Sequence, residues 1–243
     1  MTEKLSEFDF GVVTFLDILG WKGIWERNEN PLEPLDKIMQ LLNDSSTGHS
    51  KIDIINISDT IAIFSKYEVP PKEETEWKAI WGKFEKSIEI KSMVDYHGLL
   101  LSYCLPSSID YEIPIRGATS VGDFIFNEGR FLGPAVDEAA EWYEAADWIG
   151  VHLTPSAKFS LTQPLDHWVN YPPPFKKGPS WETPCINWTR NWFSDQGFPV
   201  EVRKYILQQK FLNLGPIGPD IVGKFTNTLK FFDQFVQDEV PTA

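Results

Sequence analysis

The chain is short of the residues that staple, ligate and anchor. It has only two cysteines, Cys104 and Cys185, far apart and outside any metal-type spacing. Both read as reduced core thiols, which leaves out a disulfide scaffold and fits a cytoplasmic protein. Four histidines, His49, His97, His152 and His167, are isolated and show no zinc pattern. Lys plus Arg number 22 against 35 acids, for a net charge of −13. A protein that coats nucleic acid needs the opposite balance, and anionic lipid is disfavoured too. No run approaches the ~18–20 apolar residues of a membrane span. The N-terminal MTEKLSEFDF lacks the charged-then-apolar pattern of a signal peptide. There is no Gly-x-Ser-x-Gly element, no Walker-type loop and no GxGxxG.

What remains is a globular composition, 42% apolar and 23% charged, over 243 residues, enough to bury a core without staples. Phe10 to Leu19 is a near-continuous apolar run around one acid, Asp17, and predicts a central strand ending at Gly20. Leu32 to Leu42 carries a helical stripe. Lys51 to Ser65 is rich in Ile on both sides of Ser58-Asp59-Thr60 and predicts a hairpin with an acid at its tip. A long helix follows over about Glu73 to Leu105. Strands are expected at Ile113 to Val121 and Phe124 to Phe126, joined across Gly122-Asp123. Gly133-Pro134 opens a helix over Ala135 to Asp147, and a short strand covers Ile149 to Leu153 before a helix start at Thr154-Pro155. The Pro-rich Leu161 to Thr183 segment reads as loop or insertion, and Cys185 to Trp188 as a strand. Helices close the chain at Val200 to Leu212 and Asp220 to Gln237, the last with Asp220 as N-cap and an apolar stripe of Ile221, Phe225, Leu229, Phe232 and Val236. Interleaved helices and hairpins favour an α+β fold over a doubly wound parallel sheet.

Two acids stand out. Asp17 leaves an apolar strand and Asp59 tips an apolar hairpin. A carboxylate beside buried strands is costly unless compensated. One reading is a shared divalent cation, Mg²⁺ or Mn²⁺, with Leu19-Gly20-Trp21 offering backbone N–H groups to a phosphate. The other is a turn residue and a strand-end cap. A phosphatase of the type needing a second acid two residues on is excluded, because Leu19 stands there.

The pieces FLDILGW, ISDTIAIF, IPIRGATSVGDF and FLGPAVDEAAEWYE, in that order over roughly residues 10 to 155, resemble the class III nucleotidyl cyclases. The resemblance implies a mixed, mainly antiparallel sheet flanked by helices, with a catalytic core over 1–160 and a C-terminal extension, largely helical, over 161–243. It implies that Asp17 and Asp59 bind two Mn²⁺ or Mg²⁺ ions, with the backbone carbonyl of Ile18 as a third contact. It also implies departures. Ile55 stands where adenylate cyclases keep an adenine-reading lysine, and Arg130 where they keep its acidic partner. Asp137 replaces the family's helix asparagine and Glu141 its transition-state arginine.

A fuller pattern, with WIGVHLTPSA, a late INW strand and a closing KFTNTLKFF helix, resembles the pyrimidine cyclases of bacterial Pycsar anti-phage defence. That implies a homodimer with active sites at the interface. It would convert UTP, or less readily CTP, to the 3′,5′-cyclic monophosphate and pyrophosphate, and the product would activate a separate effector protein. No nucleic-acid binding is expected from composition.

Arg116 is then a phosphate-charge group or a surface ion pair. Arg130, with five donors and no acceptor, suits the uracil O2/O4 edge, or is a solvated loop residue. Asn56 and Lys51 are close enough in the hairpin to matter. Trp21 and Trp25 read as core or dimer contacts. The rival readings are an inactive cyclase-like binding or dimerisation module, and a purine cyclase with unusual base recognition.

Overall fold

The computed structural model describes residues 8–21, 24, 30, 32–46, 52–68, 76–193, 196–214 and 218–236. Lys51 and Trp25 lie outside them. The elements, in chain order, are β1 (Asp9–Ile18), α1 (Leu32–Ser46), β2 (Ile52–Ile57), β3 (Thr60–Lys66), α2 (Glu76–Asp110), β4 (Ile115–Asn127), β5 (Arg130–Leu132) and α3 (Pro134–Ala145). They continue with β6 (Val151–Leu153), α4 (Pro155–Ser160), β7 (Trp168–Tyr171), β8 (Thr183–Ile186), a 3₁₀ turn (Trp188–Asn191), α5 (Val200–Asn213) and α6 (Pro219–Phe235). Eight strands form one sheet in the order β2-β3-β1-β4-β6-β8-β7, with β5 paired to β4. Every pairing is antiparallel except β4 with β6. The fold is therefore the expected α+β mixture, with a mostly antiparallel sheet flanked by helices.

β1 is apolar on both faces because both are covered. Val12 and Leu16 join the larger core with α1 and α2, while Val13 and Phe15 join a smaller core under α3. The strand alternation places Asp17 on the α3 face, in line with Phe15. β4 is one strand of 13 residues, not two, because Gly122 and Asp123 stay in register with Gly11 and Phe10 of β1. Gly133 turns the chain into α3 at φ 136, where a Cβ would lie 2.7 Å from the carbonyl oxygen of Asp123.

α2 runs on through Pro106 to Asp110, past the expected end at Leu105. Pro106 offers no N–H to the carbonyl of Ser102, four residues back. That carbonyl instead accepts Asn191 Nδ2 at 3.2 Å, so the helix continues without an orphaned acceptor. The segment expected to be loop from Leu161 to Thr183 contains β7, whose Trp168 pairs with Ile186 of β8. In α6 the N-cap is Gly218 rather than Asp220. Its buried face is Phe225, Thr228, Phe231 and Phe232, while Ile221 is exposed. Trp148 receives this helix, its ring 4.9 Å from that of Phe231. No helix among the described residues is long and apolar enough to cross a membrane. Cys104 and Cys185 are both free and buried.

Two wholly buried histidines differ in their surroundings. His97 of α2 hydrogen-bonds Thr14 through Nδ1 and Ser65 through Nε2, both at 2.8 Å. His152 of β6 lies against the rings of Trp142 and Phe175, and neither of its nitrogens has a partner among the described residues. Burial lowers both imidazoles to about 3. They are neutral in the native state and take up protons below pH ~6.5 only on unfolding. Their contribution to stability is therefore complete above that pH and is lost as pH falls toward 3. Between pH 7 and pH 5 each should cost about 2 kcal/mol. His152→Leu should remove one such share, so urea-denaturation curves of variant and wild type should diverge at pH 5 relative to pH 7. A gap that does not change with pH would contradict the neutral buried imidazole.

Candidate functional site

The two acids are brought together by register. Asp17 faces Thr60 of β3 on one side and Arg116 of β4 on the other. The β2–β3 turn is only Ser58-Asp59, with Ser58 at φ 58. It is tied to the end of β1 by Ile18 N–H donating to the Asp59 carbonyl at 2.9 Å. Asp17, Asp59 and Thr60 all line a cavity of about 720 Å³.

Three cations, Arg116, Lys176 and Lys177, line the same cavity, together with Glu141 and Glu144. Arg116 donates from Nε to Asp17 at 2.7 Å and from Nη1 to the carbonyl of Ala146 at 3.0 Å. The cross-strand ion pair keeps only 11% and 15% side-chain exposure. Lys176 and Lys177 enter from the segment between β7 and β8. That segment is strapped to the C-terminal end of α3: Lys176 N–H donates to Ala145 and Asp147 N–H to the Pro174 carbonyl, both at 2.9 Å. Lys176 Nζ donates to the Glu144 carbonyl at 2.7 Å. Its pKa is lowered by burial first and by the charges of Arg116 and Lys224 next, with Asp147 and Asp17 opposing. A partly desolvated ammonium beside two other cations favours an incoming anion.

Asp17 has the complementary deficit. Burial raises its pKa and the Asp59 charge adds to that, while Arg116 pulls it down without cancelling the rise. A cation held between the two acids would relieve both effects. Among the described residues there is no group of three or more His, Cys, Asp or Glu that could hold a metal. A site with two carboxylates, completed by backbone, phosphate or water oxygens, matches the way Mg²⁺ and related ions bind with phosphates. The residues fit the expected metal.

Other expected site residues lie elsewhere. Leu19 N–H is committed to the Pro114 carbonyl at 2.8 Å, so it is not available to a phosphate. Gly20 turns at φ 76, and Trp21 packs against the larger core. Asn56 spends its amide on its own hairpin, donating to the Ser58 and Thr60 carbonyls. Ile55 packs on the smaller core. Arg130 is exposed and pairs with Asn127 at the far end of β4. At about 3.4 Å per residue, that end is some ~35 Å along the strand from Arg116, so within one chain Arg130 does not reach this cavity. Glu141 does line it, and Asp137 sits in the first turn of α3.

The sequence reading missed Lys176, Lys177 and Tyr143. Tyr143 borders the cavity with the Arg116 guanidinium 5.9 Å from its ring. The signal for the lysines was the only adjacent lysine pair in the chain, set in PPPFKKGPSW.

No protein-family model matches the sequence, and neither does any curated protein. Solved structures with a similar chain path are cyclase domains. The guanylate cyclase domain of RhGC from Catenaria anguillulae, in complex with GTP, is 13% identical over 75% of this chain and 98% of that one, with a TM-score of 0.49. A bacterial light-regulated adenylyl cyclase is 13% identical over 86% of this chain and 59% of that one, at 0.48. The adenylyl cyclase CyaB from P. aeruginosa is 12% identical over 74% and 93%, at 0.47. At this level the likeness assigns no residue a role, and the chemistry rests on the chain's own geometry.

Arg116→Ala should leave Asp17 half-buried without its counter-ion. We expect a loss of about 2 kcal/mol in urea denaturation, below the cost for a fully buried pair. Adding Asp17→Asn should recover part of it. Strict additivity of the two single changes would show that the pair is not coupled.

Proposed function

We propose that this chain is a metal-dependent nucleotidyl cyclase acting on a pyrimidine nucleoside triphosphate, UTP in preference to CTP. The observation that carries the reading is one cavity lined both by Asp17 and Asp59 and by Arg116, Lys176 and Lys177. Acids that want a cation and cations that want an anion, side by side, suit a metal-bound triphosphate.

Asp17 and Asp59 would hold two Mn²⁺ or Mg²⁺ ions, with the Ile18 carbonyl as a further contact by resemblance to the class III cyclases. The bound ions would neutralise phosphate charge and acidify the ribose 3′-hydroxyl. That hydroxyl oxygen bonds to the α-phosphorus, the bond from the α-phosphorus to the bridging oxygen breaks, and pyrophosphate leaves with its electron pair. The hydroxyl proton passes to water. Arg116 is oriented by Asp17 and by carbonyls at the end of α3. It and the two lysines supply fixed positive charge as the leaving group gains negative charge. They stand in for the arginine that Glu141 replaces.

Pyrimidine preference is supported by Ile55, an apolar residue packed on the smaller core where a purine-reading lysine would be needed. The resemblance to the Pycsar cyclases points the same way. It adds a homodimer and a cyclic product that activates a separate effector in anti-phage defence. A role for Arg130 in base reading would require a second copy of the chain, since it lies at the far end of β4.

Incubation with each of the four ribonucleoside triphosphates and Mn²⁺, with products read by mass, should yield cyclic UMP, with less cyclic CMP. Asp59→Ala should fold and lose turnover by at least 100-fold, roughly the scale of losing metal positioning. Undiminished turnover in that variant would sink the metal assignment. Cyclic AMP or cyclic GMP as the main product would overturn the pyrimidine preference.

A further inference from the structure

Three polar residues of α6 converge on one short stretch of chain. Lys224, Asn227 and Thr228 stand at i, i+3 and i+4, a spacing that sets side chains on one side of a helix. Lys224 Nζ lies 3.4 Å from Asp147 Oδ1. Asn227 Nδ2 donates to the Asp147 carbonyl at 2.9 Å. The wholly buried Thr228 accepts the Ile149 N–H at 2.9 Å and donates to the Lys224 carbonyl at 2.7 Å. Gly223 lets the helix come this close, since a Cβ there would lie 3.3 Å from Asp147 Oδ2. Phe225, Phe231 and Phe232 dock the helix by burial, a force without direction. The hydrogen bonds are what fix where residues 147–149 sit against it.

That stretch is the way out of α3. The chain leaves the helix at Ala146 in extended conformation, and the last carbonyls of α3 take partners outside it. They hold the cations of the acid-lined cavity. The Glu144 carbonyl accepts Lys176 Nζ, the Ala145 carbonyl accepts the Lys176 N–H, and the Ala146 carbonyl accepts Arg116 Nη1. Asp147 is the joint between helix and cavity. Its N–H donates to the Pro174 carbonyl, in the segment that carries Lys176, and its own carbonyl accepts Asn227. A continuous path therefore runs from Asn227 through Asp147 to Pro174 and on to Lys176.

We propose that Asn227 is a positioning residue for Lys176. It holds Asp147, Asp147 holds the segment between β7 and β8, and that segment sets the Lys176 ammonium in the acid-lined cavity. The closing helix is then part of the site, although none of its described residues lines the cavity. The consequence for an anion rests on the reading of that cavity as a triphosphate site; the coupling of helix to segment does not.

The test reads these two parts separately. Hydrogen exchange would follow the amides of Asp147 and Lys176, and calorimetry the binding of the Mn²⁺ complex of inorganic tripolyphosphate, in wild type, Asn227→Ala and Thr226→Ala. Thr226 lies exposed on the same helix with its hydroxyl on the Val222 carbonyl, and serves as the control. In Asn227→Ala both amides should exchange about fivefold faster, the scale of one lost hydrogen bond, while Thr226→Ala should exchange as wild type. Tripolyphosphate should bind Asn227→Ala about fivefold more weakly. In a Lys176→Ala background the same change should cost less than about twofold, because the cation it positions is gone. Asn227→Leu, similar in shape but without the donor, repeats the test if the alanine variant unfolds. Amides that exchange as in wild type would overturn the inference, as would an equal loss of affinity with and without Lys176. Faster exchange in Asn227→Ala, with no tripolyphosphate bound even by wild type, would sustain the coupling of α6 to Lys176 while removing the triphosphate reading.

Discussion

Arg116 and Asp17 stand directly across from each other on β4 and β1, and their 2.7 Å contact sets the frame of the site. Two strands of the sheet end there, and the pair keeps opposite charges at the edge of two apolar strands. The same guanidinium also reaches the carbonyls of Glu144 and Ala146 at the end of α3. Sheet and helix are thus joined through one side chain. Once that joint is made, the β2–β3 turn brings Asp59 to the same edge through the Ile18 hydrogen bond. The pair does not neutralise the site, however. Asp17 stays above its ordinary range because burial outweighs Arg116 and Asp59 lies close by. A cation bound between the two acids would offset what Arg116 leaves uncompensated.

The net charge of −13 poses a problem for any triphosphate ligand, and the strap after β7 answers it locally. Lys176 and Lys177 come in over the carbonyl end of α3, where a cation is favoured by the helix dipole. Lys176 is held there by the Glu144 carbonyl rather than by a carboxylate. Its charge is oriented but not cancelled by a salt bridge. With Arg116 and Lys177 it sets three cations among the four acids, Asp17, Asp59, Glu141 and Glu144, that line the cavity. The overall excess of acids disfavours a broad polyanion-binding surface but leaves such a local cluster untouched.

Much of this was legible from residue pattern. The apolar run around Asp17 and the Ile-rich hairpin around Asp59 predicted the two strands and the turn that meet at the site, because a lone acid in such a run is conspicuous. The α3 start was legible from Gly133-Pro134. The strap was not. Pro-rich and polar residues from Leu161 to Thr183 hide both β7 and the two lysines, since their placement depends on backbone bonds to Ala145 and Asp147, distant in sequence. Arg130 is expected to face the acids from a second copy of the chain, and its place at the far end of β4 within one chain leaves that expectation as it stood. Asn56 was not legible: a side chain near a turn can serve a ligand or the turn itself, and here the two carbonyls of the turn take its amide. In α6 the stripe beginning at Ile221 was read one turn too early, because Trp148 receives Phe231 and the buried face starts at Phe225.

The site also depends on register, and hydrophobic patterning alone cannot hold it. A one-residue slip of β1 would turn Asp17 toward the larger core and away from Arg116. In most strands a buried and a solvated face forbid such a slip. β1 has no solvated face, since Val12 and Leu16 are as buried as Val13 and Phe15. What discriminates is a polar thread through the middle of the sheet. Thr14 meets Thr119 across β4 at 2.7 Å, and His97 bridges Thr14 to Ser65 of β3. All four are buried, so a slip would leave hydroxyls and an imidazole without partners, at roughly 1–3 kcal/mol each. The thread therefore ties β3, β1, β4 and α2 into one alignment, three residues before Asp17. A neutral histidine in the core is in this sense part of the site, since it fixes which residue of β1 faces Arg116.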